Sequence, residues 1–384
     1  MGNLLYKGCK LSNYGDTLKL ISPSYNGNVV SGWSNNSGMV IAYKISEKRI
    51  GNRVSKSNGI YWNTFVKEQR VDGSCHKKLW LRCTLTALER GYQIKNPSNL
   101  KLEPWFITGF TDAEGCFTIK LPENGRSQLE FIIGLHIIDK DLLYSIKEYF
   151  GVGNYRLVEK EKKCIYSVVK ISDIINVIIP FFEKYTLQTK KRADFLLWKR
   201  AAELKYNKTG TQEDLLKIKA SMNRGLSKQL KKRFPSVEGV IIPKVKFSLS
   251  LNPYWVSGFV SGEGCFSVYT LEKELKEYGD TRIRFNICQN EIDKELLEYM
   301  KIYFNCGNIN YSKTIIYYNV LSIIDIEKNI IPFFLKYPIR GEKYNNFIKW
   351  IKVFDLIKNK KHLTAEGFKK IKEIKGKMNS FNLK

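Results

Sequence analysis

The chain has 384 residues, 43% of them hydrophobic, with a formal net charge of +27 and a pI of 9.6. It is long enough for two or three domains with buried cores, and it contains no 18-residue apolar run, so no membrane span is expected. So positive a balance implies a polyanionic partner, and nucleic acid fits better than a lipid surface because no strongly amphipathic basic helix stands alone.

Residues 1–100 carry 15 Lys+Arg against 5 Asp+Glu, which leaves +17 on the remainder, so both parts are basic. The segment is rich in Gly, Ser and Asn, as in Ser24-Tyr-Asn-Gly-Asn28, and favours loops or disorder over a packed domain. Only Lys77–Gly91 has a helical pattern, and Cys75, His76 and Cys83 read as unrelated residues. The eight cysteines of the chain include no CxxC pair and have only three histidines beside them, which excludes a zinc finger and fits reduced thiols in a non-secreted protein. The N-terminus lacks the apolar stretch of a signal peptide.

The next stretch occurs twice. Trp105-Phe-Ile-Thr-Gly-Phe-Thr-Asp-Ala-Glu-Gly-Cys-Phe117 is echoed by Tyr254-Trp-Val-Ser-Gly-Phe-Val-Ser-Gly-Glu-Gly-Cys-Phe266. Pro104 and Pro253 precede the copies and are pre-set for a first helical turn. Small residues four apart, Gly109 with Ala113 and Gly258 with Gly262, clear one helical face so that two backbones can approach. Each helix is expected to stop at a glycine, Gly115 or Gly264, with Glu114 or Glu263 in its last turn. A carboxylate there faces the negative end of the helix dipole, and close pairing would bring a second one beside it. Two anions so placed make sense if a hard divalent cation joins them. Cys116 and Cys265 read as small buried residues.

After each motif the period switches to two. A strand through Leu121 and a turn at Glu123-Asn-Gly125 lead to a strand with Leu129, Phe131, Ile133 and Leu135 on one face and Gln128, Glu130, Ile132 and Gly134 on the other. Its counterpart sets Arg282, Arg284 and Asn286 opposite Ile283, Phe285 and Ile287. One apolar and one arginine-bearing face describe a half-solvated antiparallel sheet, suited to phosphate and guanine contacts. Asp139 and Asp293 then read as N-caps of matching helices that close at Gly153-Asn154 and Gly307-Asn308. Further strands are expected over Tyr155–Val158, Cys164–Ile171, Ile309–Tyr311 and Ile315–Ile323, with later helices around Phe195–Leu204 and Phe347–Leu356.

The offset between copies is 149 at the glutamates, 154 at Phe131/Phe285, 152 at Pro180/Pro332 and 156 at Met222/Met378. Small shifts confined to turns indicate one α-β-β-α-β-β-α unit duplicated, an α+β chain with halves at 101–227 and 251–384. Residues 228–250, basic and then proline-containing, read as a linker between them.

Ile107-Thr-Gly-Phe-Thr-Asp-Ala-Glu-Gly115 and Val256-Ser-Gly-Phe-Val-Ser-Gly-Glu-Gly264 resemble the paired nine-residue signatures of the single-chain LAGLIDADG homing endonucleases, of the type encoded by fungal mitochondrial introns. Residues 1–100 resemble the leader stretches that precede such enzymes. The resemblance implies two pseudo-symmetric halves forming a saddle of antiparallel sheets, with the motif helices packed at its centre and duplex DNA lying across it. It implies a monomer, made in the mitochondrion, that cuts one phosphodiester on each strand of a long intron-insertion site, with Mg²⁺ held by Glu114 and Glu263. The family's accompanying polar and basic side chains fall, by position, at Gln128 and Arg156 in the first half and at Arg282 and Asn310 in the second. Asn310 is not the usual lysine, which puts the second centre in question. DNA contacts are expected from Thr118, Lys120, Gln128, Glu130, Ser267, Tyr269, Arg282, Arg284 and Asn286. Some members of the family instead assist splicing of their own group I intron RNA, so an RNA-binding maturase is the alternative. A non-cleaving DNA-binding protein is the third reading, and retention of both glutamates opposes it, because bare carboxylates on that surface would repel phosphate.

Overall fold

The computed structural model describes residues 101–122, 126–245, 250–272 and 278–378, all within the unit Leu88–Lys384. The readings made for residues 1–100, for the turn at 123–125 and for Asn379 lie outside the described residues. Helix α1 (Pro104–Glu114) has proline at its first turn and ends where the Gly115 N–H meets the Thr111 carbonyl. Strands β1 (Gly115–Lys120) and β2 (Gln128–His136) form a hairpin whose register runs from Gly115 opposite Ile133 to Lys120 opposite Gln128. Helix α2 (Lys140–Phe150) ends at the left-handed Gly151 and leads to β3 (Asn154–Val158) and β4 (Lys163–Val168). A helical run over 171–184, of which α3 (Ile179–Lys184) is the last part, is followed by α4 (Lys191–Tyr206), α5 (Gln212–Ser221) and α6 (Lys228–Arg233).

The second half repeats this plan. Helix α7 (Pro253–Glu263) feeds β5 (Gly264–Leu271) and β6 (Asp280–Asn290). Helix α8 (Lys294–Phe304), β7 (Asn308–Ser312) and β8 (Ile315–Val320) follow, and then α9 (Ile331–Lys336), α10 (Glu342–Lys358) and α11 (Ala365–Gly376). Both sheets are four-stranded and antiparallel, in the orders β1-β2-β4-β3 and β5-β6-β8-β7. The α+β duplication expected from the sequence is present, with more helix than expected. Strands β4 and β8 stop at Val168 and Val320, short of Ile171 and Ile323, because the chain turns there into a helical run. That run includes a widened π turn, Ile174–Ile178 or Ile326–Ile330, directly before Pro180 or Pro332, which have no N–H to donate. The linker is helical over Lys228–Arg233, and farther on it is tied to α5 by bonds from Val240 N to the Lys217 carbonyl and from the Ser221 hydroxyl to the Val240 carbonyl.

Alternation along the strands sends Phe117, Phe131, Ile133 and Tyr166 into one core and Phe266, Phe285, Ile287 and Tyr318 into the other. The opposite faces carry the polar series. Cys116 and Cys265 therefore lie half-exposed on those outer faces and not in the core, because the phenylalanine that follows each one takes the inward position. The Trp198 and Trp350 indoles, on α4 and α10, donate to the Thr118 and Ser267 carbonyls and so bind each long helix to the first strand of its sheet.

The halves meet along α1 and α7. An added Cβ at Gly109 would lie 2.0 Å from the Trp255 carbonyl oxygen, and one at Gly258 would lie 2.1 Å from that of Phe106. This reciprocal backbone contact is the close approach that the small-residue spacing implies. Among the described residues no helix is long and apolar enough to cross a membrane.

Candidate active site

At the end of the helix pair the two glutamates come together. A Cβ on Gly262, the residue before Glu263, would meet the Ala113 Cβ at 2.4 Å, the Glu114 Cγ at 3.1 Å and the Glu114 Oε1 at 3.4 Å. Burial raises the Glu263 carboxyl above its ordinary range and the Glu114 charge raises it further, while Lys343, a hydrogen bond to Gln289 and Lys191 oppose the rise. Both glutamates are half-buried.

Two lysines stand against these helix ends. The Lys191 ammonium, at the start of α4, donates to the Thr111 carbonyl at 2.9 Å, and that of Lys343, in the first turn of α10, donates to the Gly262 carbonyl. Each meets the negative end of a motif helix. Burial depresses the Lys191 ammonium, and Asp112, Cys116, Glu114 and Glu263 hold it up.

The motifs' own polar residues bring those lysines in. The hydroxyls of Thr108 and Ser257 donate to the Tyr185 and Pro338 carbonyls, at 3.1 and 2.7 Å, and tether the segments that precede α4 and α10. Asp112 is buried and accepts from Gln188 N, Thr189 N, the Thr189 hydroxyl and the Trp255 indole, at 2.8, 3.3, 2.7 and 2.8 Å. Its counterpart Ser261 accepts from Arg340 N at 3.0 Å and donates to the Ser257 carbonyl at 2.8 Å. The sixth motif position thus holds the loop that delivers the lysine. Asp112→Ala would leave those donors buried without an acceptor, and a loss of about 2 kcal/mol is expected in denaturant unfolding.

The register corrects the expected catalytic set. Antiparallel pairing puts the far end of β2, at Ile133, beside Gly115, and the far end of β6, at Ile287, beside Gly264. Gln128 and Arg282 lie five residues back along their strands, about 17 Å away. Arg156 and Asn310 sit on the edge strands β3 and β7, two strands over from β2 and β6, and Asn310 accepts from Asn319 Nδ2 at 2.9 Å. None of the four adjoins the glutamates. The charge expected there from strand residues comes instead from Lys191 and Lys343, one in each half, so Asn310 does not deprive the second centre of its lysine. The side-chain amide on Glu263 comes from Gln289, whose counterpart at an offset of 154 is the buried Leu135. The halves therefore differ at this position. The lysine pair had a sequence signal, an offset of 152 equal to that of the prolines; Gln289 had none.

Of the residues expected to contact DNA, Lys120, Gln128, Tyr269 and Arg282 are exposed on the outer faces, and Thr118, Ser267 and Arg284 are half-exposed. The Arg284 guanidinium lies over the Tyr269 ring, 4.9 Å from its centre, and donates to its hydroxyl. Glu130 and Asn286 are only 6% exposed, which corrects their expected role. Glu130 is paired with Lys120 at 2.6 Å, and Asn286 lies between Cys265 and Asn319 on the neighbouring strands.

Fold and site together define a duplicated single-chain α+β protein with a carboxylate pair on the pseudo-dyad and a lysine from each half beside it. The family model described as LAGLIDADG endonuclease matches residues 107–202 and 256–354. A Neurospora crassa protein named "Probable intron-encoded endonuclease 3" is 38% identical over 96% of this chain and 78% of its own length. A second N. crassa protein, "Probable intron-encoded endonuclease 2", is 38% identical over 72% of this chain and 65% of its own length. The structure of the LAGLIDADG homing endonuclease I-SmaMI bound to cleaved DNA is 35% identical, with a TM-score of 0.70 over 74% of this chain and 99% of that one. The chain belongs to the LAGLIDADG endonuclease family.

Proposed function

We propose that this protein is a site-specific endonuclease that makes a staggered double-strand cut in a long intron-insertion site, hydrolysing one phosphodiester on each strand. The observation that carries the reading is the convergence of Glu114, Glu263, Lys191 and Lys343 at the ends of the twin helices, beside sheets whose outer faces carry Lys120, Arg156, Arg282 and Arg284.

Among the described residues no group of three or more His, Cys, Asp or Glu side chains converges. A site offering two carboxylates fits a hard ion of the Mg²⁺ type, which keeps much of its hydration, better than one that needs a full protein cage. Bound between Glu114 and Glu263, Mg²⁺ would activate water and offset charge at the scissile phosphate. The lysines draw the two DNA backbones towards the carboxylates, and their charges favour the ionised form of Glu263. In the second half the Gln289 amide also fixes the orientation of the Glu263 carboxylate. Lys120, Gln128, Arg156, Tyr269, Arg282, Arg284 and Asn310, together with Thr118 and Ser267, supply phosphate and base-edge contacts along the duplex. The protein acts as a monomer, because one chain holds both halves of the site. A mitochondrial setting is supported by fungal relatives whose names place them in ND4 and cox1 introns.

The test is cleavage of a plasmid carrying the joined exons that flank the gene. Linear product is expected with Mg²⁺ and none with excess chelator. No cleavage, together with faster splicing of the protein's own group I intron RNA, would replace this reading with the maturase.

A further inference from the structure

Asp139 and Asp293 occupy the N-cap positions of α2 and α8, yet neither side chain caps its own helix. This corrects their reading as local caps. Asp139 Oδ1 accepts from the Glu342 N–H at 2.7 Å, and Asp293 Oδ1 accepts from the Lys190 N–H at 2.8 Å. Glu342 opens α10 and Lys190 precedes α4, so each aspartate binds the start of a helix that belongs to the opposite half. Each of those helix starts carries an active-site lysine at the very next residue. The exchange is reciprocal, and it occurs at matching repeat positions, 154 apart for the aspartates and 152 for the lysines.

The surroundings are shaped for this contact. Gly341 has a φ of 71°, and a Cβ there would come within 2.4 Å of Asp139 Oδ1, so a side chain would displace the carboxylate. Asp139 feels the charges of Lys343, Glu342 and Glu114, and Asp293 those of Lys190 and Lys191. Burial raises both carboxyls, and the backbone hydrogen bonds from across the dyad oppose the rise.

We propose that Asp139 and Asp293 are positioning residues acting across the pseudo-dyad: Asp139 sets Lys343 in the second half's centre, and Asp293 sets Lys191 in the first's. Neither touches the reacting atoms. Each fixes a helix N-terminus, and through it the lysine one residue on, so placement of a centre's cation depends on correct docking of the other half. This rests on the endonuclease reading and on the part taken there by the lysines.

Full-length protein and an end-labelled duplex of the joined exons separate the cases when nicking of each strand is timed on its own. Lys191→Ala and Lys343→Ala are expected to slow opposite strands preferentially. Asp139→Ala should then slow the strand slowed by Lys343→Ala, roughly tenfold or more, and Asp293→Ala the strand slowed by Lys191→Ala, with duplex affinity unchanged. Asp139→Asn and Asp293→Asn keep a carbonyl acceptor and should restore most of the rate. Where an alanine variant does not fold, Asp→Ser, with a shorter acceptor, should show the same strand bias to a smaller degree. The crossing is overturned if the aspartate variants slow both strands equally, follow the lysine of their own half, or fail as badly with Asn as with Ala. It also falls if the lysine variants slow both strands alike. If the lysine variants change neither rate, the part given to the lysines in the endonuclease reading fails instead.

Discussion

Replacing Glu114 and Glu263 together by Gln is expected to abolish strand cleavage while leaving duplex binding in place. The exchange keeps side-chain shape and removes both anionic oxygens. Cation capture is lost, and with it several kcal/mol of transition-state stabilisation, a fall of at least about 10³-fold in rate. Affinity for the duplex in a calcium-free gel shift should hold or rise, because two like charges no longer face the phosphates. Splicing assistance, were it the protein's role, would survive the change unaltered. Cleavage retained in the double variant would remove the carboxylate pair from the mechanism.

The second large effect concerns the helix pair itself. Gly258→Ala would bring a methyl group to 2.1 Å from the Phe106 carbonyl oxygen, and Gly109→Ala would bring one to 2.0 Å from that of Trp255. The obstacle in each case is backbone of the facing helix, which cannot rotate aside, so the helices must separate. Alanine's better helix propensity returns only about 1 kcal/mol. A net loss of at least about 3 kcal/mol is expected, at the upper end of what overpacking costs, with a melting temperature lower by about 6 °C or more. The same separation would draw Glu114 from Glu263, so the variant that survives should also cut poorly. Gly134→Ala is the control, since an added Cβ there meets nothing within 4 Å, and its stability should stay within about 0.5 kcal/mol of the parent. Equal melting of all three proteins would mean that the helices are not in backbone contact.

Much of this organisation is written in local pattern. The switch from a helical period to a period of two after Gly115 and Gly264 marked both motif helices and the strands that follow them, because burial of one face imposes its spacing on consecutive residues. Duplication made the glutamate pair legible, since the small residues that let the helices touch are repeated with it. Other features were open to no local reading. Strand register decided which residues of β2 and β6 lie beside the glutamates, and it moved Gln128 and Arg282 out of the centre while bringing Gln289 in. Lys191 and Lys343 reach the motif ends because distant loops fold back onto them, tethered in part by the Thr108, Asp112, Ser257 and Ser261 side chains. Asp139 and Asp293 looked like ordinary caps, and their partners proved to lie in the opposite half.

The sequence by itself determined the duplicated α+β plan and the meeting of two carboxylates, because periodicity and small-residue spacing act through neighbours in the chain. Tertiary structure alone decided which cations and amides surround that pair. The lysine contacts and the aspartate behind Lys343 join residues about 80 to 200 positions apart, and the Gln289 amide comes from the far end of a paired strand, so only the docking of whole elements sets their distances.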